Sequence, residues 1–358
     1  MEKIDVNLGT RSYVIRIGSG LLDRVGDDLE AFNLGSRVAV ITNSVVRPLY
    51  GKQVRNALER AGFQVRTVEI SDGETYKTLA TAERLYDEFV DFRMDRTSTI
   101  VALGGGVIGD LAGFAAATYM RGIHFINIPT TLLAQVDSAI GGKTGVDHPR
   151  GKNLIGAFYQ PEAVFCDLDV LKTLPRKEQV AGMAEVVKYG VILDADFFSY
   201  LESHVMQIRE QDDSALFEVV RSSCESKAHV VEEDEREAGL RAILNYGHTL
   251  GHAIESLTGY SRYIHGEAVS MGMVAAAKIA RGMGLCDARV VERIVNLLQK
   301  IGLPVEIPEI NADAVLEILS HDKKVSDGRV RFVLPERIGK VVIRDDVPPD
   351  LIRSVLNG

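Results

Sequence analysis

The stretch "STIVALGGGVIGDLAGFAAATY", Ser98 to Tyr119, runs from a short β-rich apolar segment through a cluster of glycines into small and apolar residues of helical length. An apolar run without polar alternation suits a strand covered on both faces, and a glycine turn leading into a helix is the repeating step of an α/β domain. The step recurs nearby. "RVAVIT" precedes "RPLYGKQVRNALERAGF", "FQVRTVEI" precedes "KTLATAERLYDEFVDF", and "IHFINIP" and "AVFCDL" follow. This predicts an open, mainly parallel α/β domain over residues 1–175, begun by a strand, a turn at Gly9 and Thr10, and a second strand. After "KTLPRKEQ" the strand signal nearly vanishes. Segments such as "QVAGMAEVVKYGVI", "AILNYGHTLGHAIESL" and "EAVSMGMVAAAKIARGMG" repeat apolar residues at three and four, so residues 176–358 are predicted to be a helical domain, with one short β pair in "RVRFVLP" and "KVVIRD".

Composition narrows the function classes. Of 358 residues 46% are hydrophobic and 25% charged, and no apolar run approaches the ~20 residues of a membrane span. The N-terminus shows no basic-then-apolar leader. Cys166, Cys224 and Cys286 are odd in number and form no CxxC, which argues against a disulfide framework or a thiolate zinc site and suits a reducing cytoplasm. A net charge of −9 disfavours nucleic acid as a partner.

Two glycine-rich motifs follow. Gly104, Gly106 and Gly109 satisfy GxGxxG, where glycine lets backbone approach a pyrophosphate and a helix N-terminus supplies N–H groups. The strand is not the first of its domain, however, and no acid lies ~20 residues on to hold a ribose, so a structural turn accounts for the pattern equally. "AIGGKTG" is not a Walker loop, because Asp137 stands where glycine is needed. Around it Arg121, Lys143, Arg150 and Lys152 outnumber Asp137 and Asp147, with Asn153 close by. Solvated loop charges are one reading, and an anion pocket at the carboxyl edge of the sheet is the other.

"NYGHTLGHAIE", Asn245 to Glu255, places two histidines in an apolar run. On a continuous helix at about 100° per residue, Arg241, Asn245, His248 and His252 project within roughly 60°, a stripe of groups suited to a ligand. Glu185 in "AGMAEVVKYG" lies in an apolar helix one turn before Lys188, and a buried carboxylate there needs a cation or metal. His265 opens another apolar helix. Glu185, His265 and one of the paired histidines would form a 2-His-1-carboxylate zinc set with an open position. Spacing does not choose between His248 and His252. The other histidines, His124, His148, His204, His229 and His321, read as structural, and the acidic run from Glu232 to Glu237 reads as a solvated helix end.

Taken in order, "DGETYK", "GGGVIGDLAGF", "IPTTLLAQVDSAIGGKTGVDHPRGKNLIGAFYQP", "AGMAEVVKYG", "NYGHTLGHAIE", "HGEAV" and a late "DKK" resemble the 3-dehydroquinate synthase family over essentially the whole chain. The resemblance implies a dehydroquinate synthase-like fold: an N-terminal nucleotide-binding α/β domain followed by an all-α domain. It further implies bound NAD⁺, one zinc or cobalt ion and a homodimer. The implied reaction is a lyase step of the shikimate pathway, from 3-deoxy-D-arabino-heptulosonate 7-phosphate to 3-dehydroquinate and phosphate.

By that resemblance the metal ligands are Glu185, His248 and His265. His252 faces the substrate phosphate instead, with Lys143, Asn153, Asn245, Lys323 or Lys324, and Arg121 of the partner subunit. Lys227 and Arg241 hold the substrate carboxylate, with Lys152, Lys188, Glu237 and Asp137 around the reacting carbons. The NAD⁺ contacts fall on Asn43, on Asp72, Gly73, Glu74, Thr75, Tyr76 and Lys77, on Gly105, Gly106, Val107, Ile108, Gly109 and Asp110, and on Thr130 and Thr131. Lys143 and Lys152 are implied there too, as are Val170, Leu171, Lys172, Thr173 and Leu174. Tyr246 and Leu154 occupy variable places, and no motif residue is missing. A metal-dependent alcohol dehydrogenase of the same layout would lack the basic set, and a cyclase of substrates without a carboxylate would not need Lys227 and Arg241.

Overall fold

The structure, a computed structural model, describes residues 1–32, 34–259, 262–320, 325–326 and 329–357. It divides into two compact units, Met1–Pro175 with Lys227–Arg236, and Arg176–Ser226 with Glu237–Gly358. The segment Lys227–Arg236, expected in the helical domain, groups with the first unit through specific bonds. Lys227 Nζ donates to the Asp137 carboxylate at 2.6 Å and to its carbonyl at 2.8 Å. Glu232 accepts from Asn7, and Glu235 accepts from Arg11 and Gln160.

In the first unit the elements are β1 (Glu2–Val6), β2 (Tyr13–Gly18), α1 (Val25–Leu29), β3 (Arg37–Asn43), α2 (Lys52–Arg60), β4 (Gln64–Ile70), α3 (Leu79–Asp91), β5 (Thr99–Gly104), α4 (Gly106–Thr118), β6 (His124–Pro129), β7 (Lys143–His148), β8 (Gly151–Phe158) and β9 (Ala163–Asp167). Seven strands form one sheet in the order β1-β2-β9-β6-β5-β3-β4, parallel throughout except for the β1–β2 pair. β3 and β5 are fully buried apart from Arg37, as continuous apolar runs between helices require. One core lies where α3 and α4 cover the sheet, joining Leu85, Phe89, Leu111, Phe125 and Val146. The chain leaves β3 for β4 on one side and returns to β5 on the other. The strand order therefore reverses between β3 and β5, and open α/β sheets bind ligands at the carboxyl ends of such neighbours. The polar stretch from Lys143 to Phe158, whose glycines and charges suit a loop, is an antiparallel hairpin, β7–β8, outside the main sheet.

In the second unit are α5 (Arg176–Ile192), α6 (Ala195–Ser203), α7 (Val205–Arg209), the first part of α8 (Asp213–Glu233), α9 (His248–Leu257), α10 (His265–Gly282), α11 (Ala288–Ile301) and α12 (Ala312–Ser320). The short strands β10 (Val325–Ser326), β11 (Arg329–Val330), β12 (Phe332–Arg337) and β13 (Lys340–Arg344) and the helix α13 (Pro349–Asn357) complete it. α5 and α10 are buried nearly all round, so their apolar residues show no single stripe. α10 packs against α5, α9, α11 and α13. Among the described residues no helix is long and apolar enough to cross a membrane.

Candidate active site

In the first unit the residues expected to touch a dinucleotide, apart from Lys143 and Lys152 on the β7–β8 hairpin, lie at or just beyond the carboxyl ends of β3, β4, β5, β6 and β9. Asn43 ends β3; its amide nitrogen donates to Asp72 at 2.6 Å, and its oxygen accepts from Val46 N at 2.8 Å, tying the ends of β3 and β4 together. Gly105 is the N-cap of α4 and offers no capping side chain, so the first N–H groups of that helix are left for an anion. Lys77, 4% exposed, donates to Asp110 and to Asn153 Oδ1, both at 2.6 Å. Asp147, which sequence reading did not single out, locks this group by accepting from Asn153 N at 2.8 Å and donating its own N–H to Lys77 O at 2.7 Å. Burial pushes the Asp110 carboxyl up to about 6 although Lys77 pulls it down. At neutral pH the pair is therefore ionised. Thr130 N reaches back to Gly104 O at 2.9 Å.

The stripe read from "NYGHTLGHAIE" is not continuous. Leu240–Asn245 forms a 3₁₀ segment, Tyr246 turns to an extended ψ of 126°, Gly247 lies at φ 79°, and α9 starts only at His248. The break has a packing cause. Tyr246 is fully buried with its hydroxyl donating to Met273 O at 2.9 Å, and a Cβ on Gly247 would lie 2.6 Å from Met273 Cγ and 2.8 Å from Val269 O. Arg241 and Asn245 thus stand on a different element from the histidines. Arg241 is 1% exposed, and Asn245 Nδ2 donates to Glu237 Oε1 at 2.9 Å.

What α9 does align is His248, His252 and Glu255, at steps of four and three. His248 turns inward, its Nε2 3.3 Å from Glu185 Oε1, while His252 is exposed. His265 Nε2 lies 3.6 Å from the same oxygen. Glu185 is fully buried beside the Lys188 ammonium, and neither carboxylate oxygen completes a hydrogen bond. Ligand atoms about 2.0–2.1 Å from one tetrahedral ion stand roughly 3.3–3.4 Å apart, so these separations suit a shared divalent cation better than direct hydrogen bonds. A second triad, His252, Glu255 and His265, also brings its ligand atoms within 4.8 Å of one another.

Electrostatics agree with a cation there. Burial alone would raise the Glu185 carboxyl, but Lys188, His248 and His265 hold it well below the ordinary carboxylate range. Burial pushes His248 down against the pull of Glu185, which favours the neutral imidazole that binds metal. Burial opposes the His265 imidazolium too, yet Glu185 and Glu255 outweigh it and push that ring up to about 10. A divalent ion would displace this proton on binding.

The match to known proteins runs along the chain. Residues 67–181 fit the family described as 3-dehydroquinate synthase N-terminal, and residues 182–325 the one described as 3-dehydroquinate synthase C-terminal. A 3-dehydroquinate synthase of Desulforamulus reducens is 52% identical over 358 residues, covering 100% of both chains. This chain belongs to the 3-dehydroquinate synthase family. Among solved structures, a 2-deoxy-scyllo-inosose synthase complexed with carbaglucose-6-phosphate, NAD⁺ and Co²⁺ superposes with a TM-score of 0.91 at 31% identity, over 99% of both chains. The 2-epi-5-epi-valiolone synthase of Streptomyces hygroscopicus, with NAD⁺ and Zn²⁺ bound, gives 0.90 at 28% identity over 98% of this chain and 97% of its own.

As a 3-dehydroquinate synthase family member the chain shows local backbone strain at expected site residues. Arg121, Asn153 and Glu237 are three of the six non-glycine residues at positive φ among the described residues, and such strain gathers at functional sites. Arg121 sits exposed on a corner where Met120, Arg121 and Gly122 are all left-handed. Lys143 and Lys152 are exposed on β7 and β8, and Lys152 Nζ lies 4.0 Å from Glu74. Val170 to Thr173 lie in the 3₁₀ segment after β9. Lys323 and Lys324 lie outside the described residues. Glu255, absent from the expected site, was detectable as the i+7 partner of His248.

Proposed function

We propose that this chain catalyses the conversion of 3-deoxy-D-arabino-heptulosonate 7-phosphate to 3-dehydroquinate and phosphate, a carbon–oxygen lyase reaction. Substrate has the combined composition of the two products, so the reaction involves no net oxidation. Support comes foremost from 52% identity along the entire length of a chain bearing that name. When bound, NAD⁺ supplies a reversible hydride acceptor and a zinc or cobalt ion supplies a Lewis acid for the substrate hydroxyl.

The chain's residues take the following roles in this reading. Glu185, His248 and His265 hold the ion, and Lys188 keeps Glu185 ionised in its dry setting. The open N–H groups of α4, with Lys77 and Asp110, hold the dinucleotide. The family resemblance assigns the phosphate to Lys143, Asn153, Asn245 and His252, together with Arg121 of the partner subunit, and places Lys152 by the reacting carbons. Lys227 and Arg241 take the carboxylate; Asp137 holds Lys227 at 2.6 Å and orients it, and Glu237, 2.9 Å from the Asn245 amide, orients Asn245. Such a site acts mainly by orienting a doubly anionic substrate and excluding water. Three free cysteines suit a cytoplasmic enzyme, and a homodimer supplies the second arginine.

The deciding assay mixes protein, NAD⁺, zinc and the heptulosonate phosphate. Phosphate should appear in step with substrate loss while reduced nicotinamide stays at trace level. Steady build-up of reduced nicotinamide would instead identify a dehydrogenase, and absence of phosphate release with either zinc or cobalt would defeat the reading.

A further inference from the structure

A carboxylate faces each ring nitrogen of His265. Its Nε2 faces Glu185 Oε1 at 3.6 Å, and its Nδ1 faces Glu255 Oε1 at 3.5 Å. Glu255 is 8% exposed, and among the described residues His265 is the one ion-pair partner its carboxylate has. Burying a carboxylate costs free energy that a facing N–H or cation offsets, so the His265 ring is what the Glu255 carboxylate has to pair with. The other inward histidine is arranged alike: His248 Nδ1 lies 3.1 Å from the carbonyl of Tyr246, leaving Nε2 towards Glu185. Each ring thus has an oxygen facing Nδ1 and presents Nε2 to the same buried oxygen.

An imidazole that gives Nε2 to a metal must carry its proton on Nδ1, and the group accepting that proton fixes tautomer and ring plane. We propose that Glu255 is a positioning residue whose carboxylate accepts the Nδ1–H of His265 and thereby aims Nε2 at the ion shared with Glu185 and His248. This rests on the metal site described under the proposed function. Sequence places the pieces: Glu255 lies seven residues after His248, two turns along the same face of α9, and His265 begins the next helix. The nearby triad of His252, Glu255 and His265 offers the competing use of the same atoms, with Glu255 as a ligand of a second ion. That use would require His265 to give up both ring protons.

The test measures Co²⁺ stoichiometry and dissociation constant, by chelator competition, for the full-length wild-type chain, Glu255→Ala, Glu255→Gln and His248→Ala, alongside the thermal midpoint of each metal-free protein. Outer-shell partners are worth about 10–100-fold in metal affinity. Glu255→Ala should weaken Co²⁺ by about that factor with its metal-free midpoint near wild type. Glu255→Gln, whose amide oxygen still accepts from Nδ1–H, should recover most of the loss and covers the case in which the alanine variant folds poorly. Equal affinity in wild type and both Glu255 variants would overturn the proposal. Two Co²⁺ ions per wild-type chain and one in Glu255→Ala would overturn it too, by making Glu255 a ligand. A wild type that binds no Co²⁺ would instead refute the underlying metal site.

Discussion

Replacing Gly247 by alanine probes the turn that sends His248 inward. Two costs add at this position. An L-residue in a left-handed conformation costs about 1–2 kcal/mol, and Gly247 sits at φ 79°. The new Cβ would also stand 2.6 Å from Met273 Cγ and 2.8 Å from Val269 O. Met273 is fully buried and Val269 O belongs to α10 backbone, so relief needs movement of packed atoms, at about 1–3 kcal/mol. The sum is about 2–5 kcal/mol. Gly284 is the internal control: it lies at φ 70° in the same unit with nothing within 4 Å of its added Cβ, so Gly284→Ala should show the conformational cost alone, about 1–2 kcal/mol. Urea unfolding of the metal-free variants, followed by circular dichroism and compared through midpoint and slope, reads the difference. Metal affinity should also fall in Gly247→Ala and not in Gly284→Ala, because only the first displaces the start of α9. If Gly247→Ala costs no more than Gly284→Ala and keeps its metal, close packing against α10 does not hold the turn.

Three further outcomes follow from the site. His248→Ala should weaken metal binding by more than about 100-fold, beyond the loss of an outer-shell partner, whereas His252→Ala should keep the metal and lose phosphate release; equal metal loss in both would make the pair a two-pronged clamp. If Arg121 serves the partner subunit, Arg121→Ala and His252→Ala homodimers should each be nearly inactive, and mixing them under conditions of subunit exchange should restore about a quarter of wild-type turnover, since half the dimers then carry one intact site; no recovery despite exchange would assign Arg121 to its own subunit. The third concerns Asp110, whose folded pKa of about 6 lies above the ordinary carboxylate value, so the native state binds the extra proton. Stability relative to Asp110→Asn should fall as pH rises from about 4 to 6, by at most about 3 kcal/mol, and level off above; a flat difference across that window would show that the carboxyl is not raised.

Much of this molecule is written in local pattern. The parallel sheet was legible because β3, β5 and β6 are covered on both faces and therefore apolar without alternation, and Glu185 stood out because a carboxylate inside an all-apolar helix has no place without a compensating charge. The β7–β8 hairpin was not legible, since its glycines and charges resemble solvated loop until the chain folds back on itself. The four-residue stripe failed for a definite reason. Helical periodicity assumes an unbroken backbone, and the interruption at Tyr246 and Gly247 arises from contacts with Met273 and Val269, more than twenty residues further along. For the same reason spacing alone left His248 and His252 equivalent. Sequence determined that a carboxylate, a pair of histidines and a third would be present on apolar helices; packing of α5, α9 and α10 decided which nitrogens face Glu185 and brought Glu255 to the back of His265, because directions in space are set by contacts between segments and not by intervals along one of them.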